Sequence, residues 1–148
     1  MSHVLIAEDD PHILRVISLW LSRQGHQVFE ARNGAVALGL FREHAPEVLV
    51  TDINMPVMDG LELVEHVLRE PGNLRGVIVL TNRWDHGQIR ERLAQSGVHV
   101  LPKPFSPSKL SDLVQTIVAQ EPMDVVAGSA PKPSAGPPAT QPGPVGGP

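Results

Sequence analysis

Short apolar runs and longer amphipathic stretches take turns along the first 120 residues. His3-Val4-Leu5-Ile6-Ala7 is the first run. Asp10 and Pro11 then form a cap and first-turn pair, and Ile13, Leu14, Ile17 and Leu21 recur at helical spacing until Gly25 stops the segment. Gln27–Ala31 reads as a second strand. Asn33-Gly34 opens a second helix through Ala35, Leu38 and Phe41 to His44, closed by Pro46. Glu47–Thr51 is a third strand and Leu61–Arg69 a third helix, ended by Pro71-Gly72. Val77–Leu80, a helix over Asp85–Gln95, Val98–Leu101 and a helix over Ser106–Gln120 complete the series. Gly97 stops the fourth helix, and Ser106-Pro107 caps the fifth.

Five strands alternating with five helices predict an α/β fold: a parallel sheet with helices on both faces. The strand runs are apolar throughout rather than alternating, as burial on both faces demands. In such sheets the ligand site lies beyond the carboxyl ends of the strands, where the strand order switches.

Composition changes sharply after Glu121. Residues 122–148 hold 8 of the 15 prolines and no aromatic residue. That stretch cannot bury enough apolar surface to offset its ordering entropy, so residues 1–121 are expected to fold and 122–148 to form a disordered Pro/Gly-rich tail. The tail is expected to be a spacer rather than a ligand for a proline-recognising domain, and no DNA-binding or catalytic output domain is expected from residues 122–148. The residues Met1-Ser2-His3-Val4 show no basic start or cleavable apolar stretch, so no secretory signal is expected, and no run is long enough to span a bilayer. Cysteine is absent, which removes disulfides, thiolate nucleophiles and cysteine-based zinc sites. Twelve basic against sixteen acidic residues give a net charge of −4, which argues against direct nucleic-acid binding. The expectation is a cytoplasmic protein with no membrane association.

The expected strand ends carry Glu8-Asp9-Asp10, Asp52, Thr81 and Pro102-Lys103-Pro104. Carboxylates gathered at one edge repel unless a cation bridges them. Oxygen donors without His or Cys select Mg²⁺, or Mn²⁺, over zinc. An ammonium and a hydroxyl beside such an ion suit the oxygens of a phosphoryl group, and a carboxylate can be the nucleophile that accepts it. The pattern therefore points to an aspartate phosphorylated with the help of Mg²⁺.

The segments VLIAEDD (4–10), VLVTDINMPVMDG (48–60), VIVLTN (77–82) and LPKPF (101–105), in this order and at these intervals, resemble a response-regulator receiver domain over residues 3–120. The resemblance implies a flavodoxin-like, doubly wound (βα)5 fold with strand order 2-1-3-4-5. It implies Asp52 as phosphoacceptor, Asp9 as a direct metal ligand, Glu8 as a direct or water-bridged one, and the Asn54 carbonyl as a backbone ligand. Thr81 and Lys103 would bind the phosphoryl oxygens, while Pro56 and Gly60 shape the loop after the third strand. The implied partners are a sensor histidine kinase or phosphotransfer protein and a downstream protein. The implied role is a switch that assists only its own phosphorylation and dephosphorylation, as a monomer or weak homodimer, rather than an enzyme.

The chain departs from the family at four points. Glu8 stands where an aspartate is usual, Asn82 follows the strand-end hydroxyl where a small residue is usual, Val100 replaces an aromatic three residues before the lysine, and the approach from Gly97 to Lys103 is one residue short. The alternative function is a receiver-like scaffold acting through fixed contacts without phosphorylation. The seven histidines lack metal-ligand spacing, so structural or surface roles are expected, and His99 is a weaker candidate to replace the missing aromatic. Helix 1 is apolar around much of its circumference, which fits core packing first and a docking surface second. Arg83, Arg90 and Arg92 are expected on a solvated face, and Trp84 near the site.

Overall fold

The computed structural model describes residues 2–82 and 97–123. The elements run β1 (His3–Ala7), α1 (Pro11–Arg23), β2 (Gln27–Ala31), α2 (Gly34–His44), β3 (Val48–Asp52), α3 (Gly60–Val67), β4 (Gly76–Thr81), β5 (Val98–Pro102) and α4 (Pro107–Val118). The helix expected over 85–95, with Arg83, Trp84, Arg90 and Arg92 around it, and the tail after Met123 lie outside the described residues.

All strand pairs are parallel, and their order is β2-β1-β3-β4-β5. The doubly wound (βα)5 topology of the sequence reading is therefore met by its five strands and four described helices. Alternation along each strand feeds two cores. Leu5, Leu49, Val77 and Val79 face a cluster with Leu38 and Phe41 of α2 and Leu63, Val64 and Val67 of α3. Val4, Ile6, Val48, Val50, Ile78 and Leu80 face Leu14, Ile17 and Leu21 of α1 and Leu110, Val114 and Ile117 of α4. Both faces are buried, so each strand is apolar at consecutive positions.

Side chains set the helix starts. The Asp10 carboxylate accepts from the N–H groups of His12 and Ile13, Asn33 from Val36, and Ser106 from Lys109. Asp59 and Glu62 make a reciprocal capping box at α3. Ends differ from expectation by a residue or two. Helix α3 stops at Val67 because Leu68 caps it, and the Arg69 N–H turns to the His66 carbonyl at 3.1 Å. Strand β5 runs one residue further, to Pro102 opposite Thr81.

Helix α1 resolves the two readings of its apolar surface into two stripes. Leu14, Ile17 and Leu21 are buried, while Val16 and Leu19 remain 48% and 49% exposed. Among the described residues, no helix is long and apolar enough to cross a membrane.

Candidate functional site

β1 and β3 are neighbours, and the chain leaves β1 for β2 on the opposite side. That is the switch in strand order, and the acidic residues gather beyond it. Glu8 and Asp9 follow β1, and Asp52 ends β3. Each of the three offers a carboxylate oxygen within 4.8 Å of the others. Glu8 is fully buried and Asp52 nearly so, whereas Asp9 is half-buried.

Lys103, brought in by β5, faces this cluster. Its Nζ lies 3.2 Å from Glu8 Oε1 and 3.4 Å from Asp52 Oδ1. The Lys103 N–H also donates to the Thr81 carbonyl at 2.6 Å, which ties the end of β5 to the end of β4. Asp52 Oδ1 accepts from the Ile53 N–H at 2.8 Å, and Glu8 Oε2 from the Asp10 N–H at 3.0 Å. A cis peptide joins Lys103 to Pro104.

One ammonium does not balance this much negative charge. Burial pushes the Glu8 carboxyl up to about 7; the Asp10 N–H opposes that rise, Asp52 adds to it, and Lys103 again opposes it. Burial pulls Lys103 down, but the charges of Asp52 and Glu8 outweigh it and hold its ammonium above the ordinary lysine value. The Thr81 hydroxyl is buried with no hydrogen-bond partner among the described residues. A buried, unsatisfied hydroxyl costs about 1–3 kcal/mol, which a ligand oxygen would return.

The donor set fits a hard divalent cation. The cluster contains only oxygen ligands and retains a protonatable carboxyl, the signature of a site short of positive charge. Glu8, at the position where the resemblance implies aspartate, keeps its carboxyl within the cluster despite the extra methylene. Thus Glu8, Asp9, Asp52 and Lys103 come together as the sequence reading expected, and Thr81 lies at the neighbouring strand end. Asn54 sits in the loop that leaves Asp52.

That loop holds features the sequence did not signal. Val57 has φ of 70° and is 83% exposed. The Met58 N–H donates back to the Pro56 carbonyl at 2.8 Å, closing a three-residue turn around Val57. A β-branched residue in the left-handed region is strained. On the flanks, the Gly60 N–H donates to the Ile53 carbonyl at 2.7 Å and the Gly34 N–H to the Met58 carbonyl at 3.0 Å. Asn33-Gly34 read only as a helix start, so its contact with this distant loop was not visible in the sequence.

Beside Lys103 opens a cleft of about 430 Å³, lined by Ile13, Val16 and Ile17 of α1 and by Pro104, Phe105 and Pro107. The exposed stripe of α1 borders it. Val100 packs toward the α2–α3 core, while His99 is half-buried on the edge strand, its Nε2 buried without a partner among the described residues. Burial lowers the His99 pKa. Asn82 is exposed.

Comparison with known proteins agrees with this architecture. The family model of the response regulator receiver domain matches residues 4–115. The transcriptional regulatory protein KdpE of Mycobacterium tuberculosis is 36% identical over 110 residues, 71% of this chain and 46% of that protein. The chain thus spans less than half the length of that relative. A 14.6 kDa protein of Leptolyngbya boryana is 34% identical over 123 residues, 82% of this chain and 93% of its own. Among solved structures, the receiver domain of the Francisella response regulator 1452 superimposes with a TM-score of 0.71 at 29% identity, covering 80% of this chain and 98% of that one. The chemotaxis response regulator CheY4 of Vibrio cholerae gives 0.70 at 29% identity, over 79% and 98%. With the family model covering every strand end around the carboxylate cluster, this chain belongs to the response-regulator receiver domains.

Proposed function

We propose that Asp52 is the phosphoacceptor of this signalling switch, and that Glu8, Asp9, Asp52 and the Asn54 carbonyl hold Mg²⁺, with Mn²⁺ as a substitute. The observation that carries the reading is Lys103 Nζ within 3.4 Å of Asp52 Oδ1, amid three converging carboxylates. Bound magnesium would neutralise charge on the carboxylates and on the incoming phosphoryl oxygens. The donor is a phosphohistidine on a sensor kinase or phosphotransfer protein. A carboxylate oxygen of Asp52 bonds to phosphorus as the P–N bond breaks, and its electron pair returns to the imidazole nitrogen, which takes a proton. Lys103 binds one phosphoryl oxygen, giving up part of its pairing with Asp52. The Thr81 hydroxyl, without a hydrogen-bond partner among the described residues, donates to another.

The apolar cleft between α1 and Phe105 seats the phosphodonor protein beside Asp52. Residues 1–121 are the receiver and 122–148 its tail; output passes through a further protein, in the cytoplasm, without direct nucleic-acid contact. The chain assists its own phosphorylation and dephosphorylation and is otherwise no enzyme.

Mass spectrometry after incubation with Mg²⁺ and a small acyl phosphate tests the acceptor. The parent gains one acid-labile phosphoryl group and Asp52→Asn gains none; equal labelling of both overturns the assignment. Val16→Asp tests the docking face. It slows transfer from a protein donor at least tenfold and leaves labelling by the small acyl phosphate unchanged.

A further inference from the structure

The loop from Ile53 to Asp59 is held from three sides. Its own turn closes through Met58 N–H and the Pro56 carbonyl. Gly60 pins its start through the Ile53 carbonyl, and Gly34, from a different helix, pins its far end through the Met58 carbonyl. Neither glycine has room for a side chain. A Cβ at Gly60 would stand 1.9 Å from the Asp52 carbonyl oxygen, and one at Gly34 would stand 2.3 Å from the Met58 carbonyl oxygen. Gly39, in the same helix as Gly34, has open space around it.

Against these clamps works the strain at Val57. Its φ of 70° disfavours the observed loop relative to any arrangement in which Val57 relaxes. The seated loop therefore survives because the clamps outweigh the strain, and the two terms oppose each other across one short segment. Asn54 lies within that segment.

We propose that Gly34 is a positioning residue for the metal-binding loop: its N–H and its missing side chain keep the strained Pro56-Val57-Met58 turn seated, and so keep the chain around Asn54 in the shape that takes Mg²⁺. The inference rests on the reading of Asn54 and the carboxylates as metal ligands. Gly34 touches neither metal nor phosphoryl group; it acts through Met58. Coupling of this kind is reciprocal. If latching favours Mg²⁺, Mg²⁺ favours the latch.

Titration of the full chain with Mg²⁺, followed by amide NMR and by hydrogen exchange, tests it. Gly34→Ala weakens Mg²⁺ binding at least tenfold while Gly39→Ala keeps the parent affinity. Val57→Gly, which removes the strain, binds Mg²⁺ no more weakly than the parent. Added to Gly34→Ala, it restores part of the lost affinity. In the parent, saturating Mg²⁺ slows exchange of the Gly34 amide several-fold and leaves that of Ala37, bonded to Asn33 within the helix, unchanged. A folded Gly34→Ala with parent affinity overturns the proposal, as does a Val57→Gly variant with weakened binding. Should Gly34→Ala not fold, the exchange measurement on the parent decides: an unaltered Gly34 rate under saturating Mg²⁺ overturns it. A parent that binds no Mg²⁺ overturns the metal-site reading itself, a result distinct from all of these.

Discussion

The two ends of the sheet handle polar groups in opposite ways. At the carboxyl end, Glu8 is buried and short of positive charge, the Thr81 hydroxyl has no partner among the described residues, and Val57 is strained. At the amino end, polar groups are mostly matched. Glu47 accepts from the His3 N–H at 3.0 Å and from Arg75 Nε at 3.2 Å, and Arg75 also reaches the Gln120 carbonyl. Phe29 stacks on His44 at 4.0 Å and meets His3 edge-on at 5.5 Å. The exceptions among the described residues are Trp20 Nε1 and the Nε2 atoms of His26 and His99, buried without a hydrogen-bond partner. One end is arranged to receive something; the other closes the fold. Strain and unmet charge mark function when they collect in one place.

The sharpest test of this contrast is pH. The Glu8 carboxyl is raised from 4.5 to about 7. Between those values the folded chain keeps a proton that the unfolded chain has released, so stability falls as pH rises through the window. His26 behaves oppositely. Burial lowers it from 6.5, with Glu47 pulling the other way, and burial lowers His99 as well, so the unfolded chain takes up these protons first and stability falls as pH drops below 6.5. Thermal melts of the metal-free protein are expected to show a falling midpoint from pH 5 toward 8, governed by Glu8. Glu8→Gln raises the midpoint at pH 8 by several degrees and flattens that slope. His26→Gln flattens only the acid side. A parent midpoint that climbs steadily from pH 5 to 8 contradicts the unbalanced charge assigned to the site.

Truncation should separate the two ends next. Glu47→Ala leaves the His3 N–H and Arg75 without their acceptor and is expected to cost about 2 kcal/mol. Phosphorylation by a small acyl phosphate stays at the parent rate, because the loss lies at the far end of the strands. Asp52→Asn does the reverse. It abolishes phosphorylation and, by removing one of three converging carboxylates, gains about 1 kcal/mol in metal-free buffer. Mg²⁺ then raises the parent's midpoint and has little effect on the variant's. Denaturant titrations of both, with and without a chelator, measure these terms; a destabilised Asp52→Asn would mean that Lys103 depends on Asp52 more than the cluster repels it.

Much of this was legible in the residues themselves. Continuous apolar runs such as Val48-Leu49-Val50 can only serve a sheet covered on both faces, and Asp10-Pro11 and Ser106-Pro107 place helix starts through local chemistry that needs no tertiary context. The site was legible because strand ends in a parallel sheet converge, which carries Glu8, Asp52 and Lys103 together across nearly the whole fold. What escaped depends on contacts between distant segments. Gly34 meeting Met58 and the left-handed Val57 leave no local pattern, since a valine in a loop ordinarily predicts extended backbone. Which stripe of α1 is buried was also undecided, because Leu14 and Val16 are equally apolar and only the sheet's position separates them.

The smallest effect tests whether matching at the amino end is a matter of burial or merely of pairing. Arg42 makes a two-pronged contact with Glu70, Nε at 2.9 Å and Nη2 at 2.7 Å, where α2 ends and the chain leaves α3. The pair looks stronger than the Glu47–Arg75 contact, and its geometry raises Arg42 and lowers Glu70. Yet the Arg42 side chain is 58% exposed, against 29% for Arg75 and 25% for Glu47. Solvent screens an exposed pair, and holding two long side chains in one geometry costs entropy. Arg42→Gln is therefore expected to move the thermal midpoint by no more than about one degree, and by nothing measurable at high salt, where screening reaches within a few ångströms. A shift as large as that of Glu47→Ala would mean that geometry, rather than exclusion of water, decides which contacts close this end of the sheet.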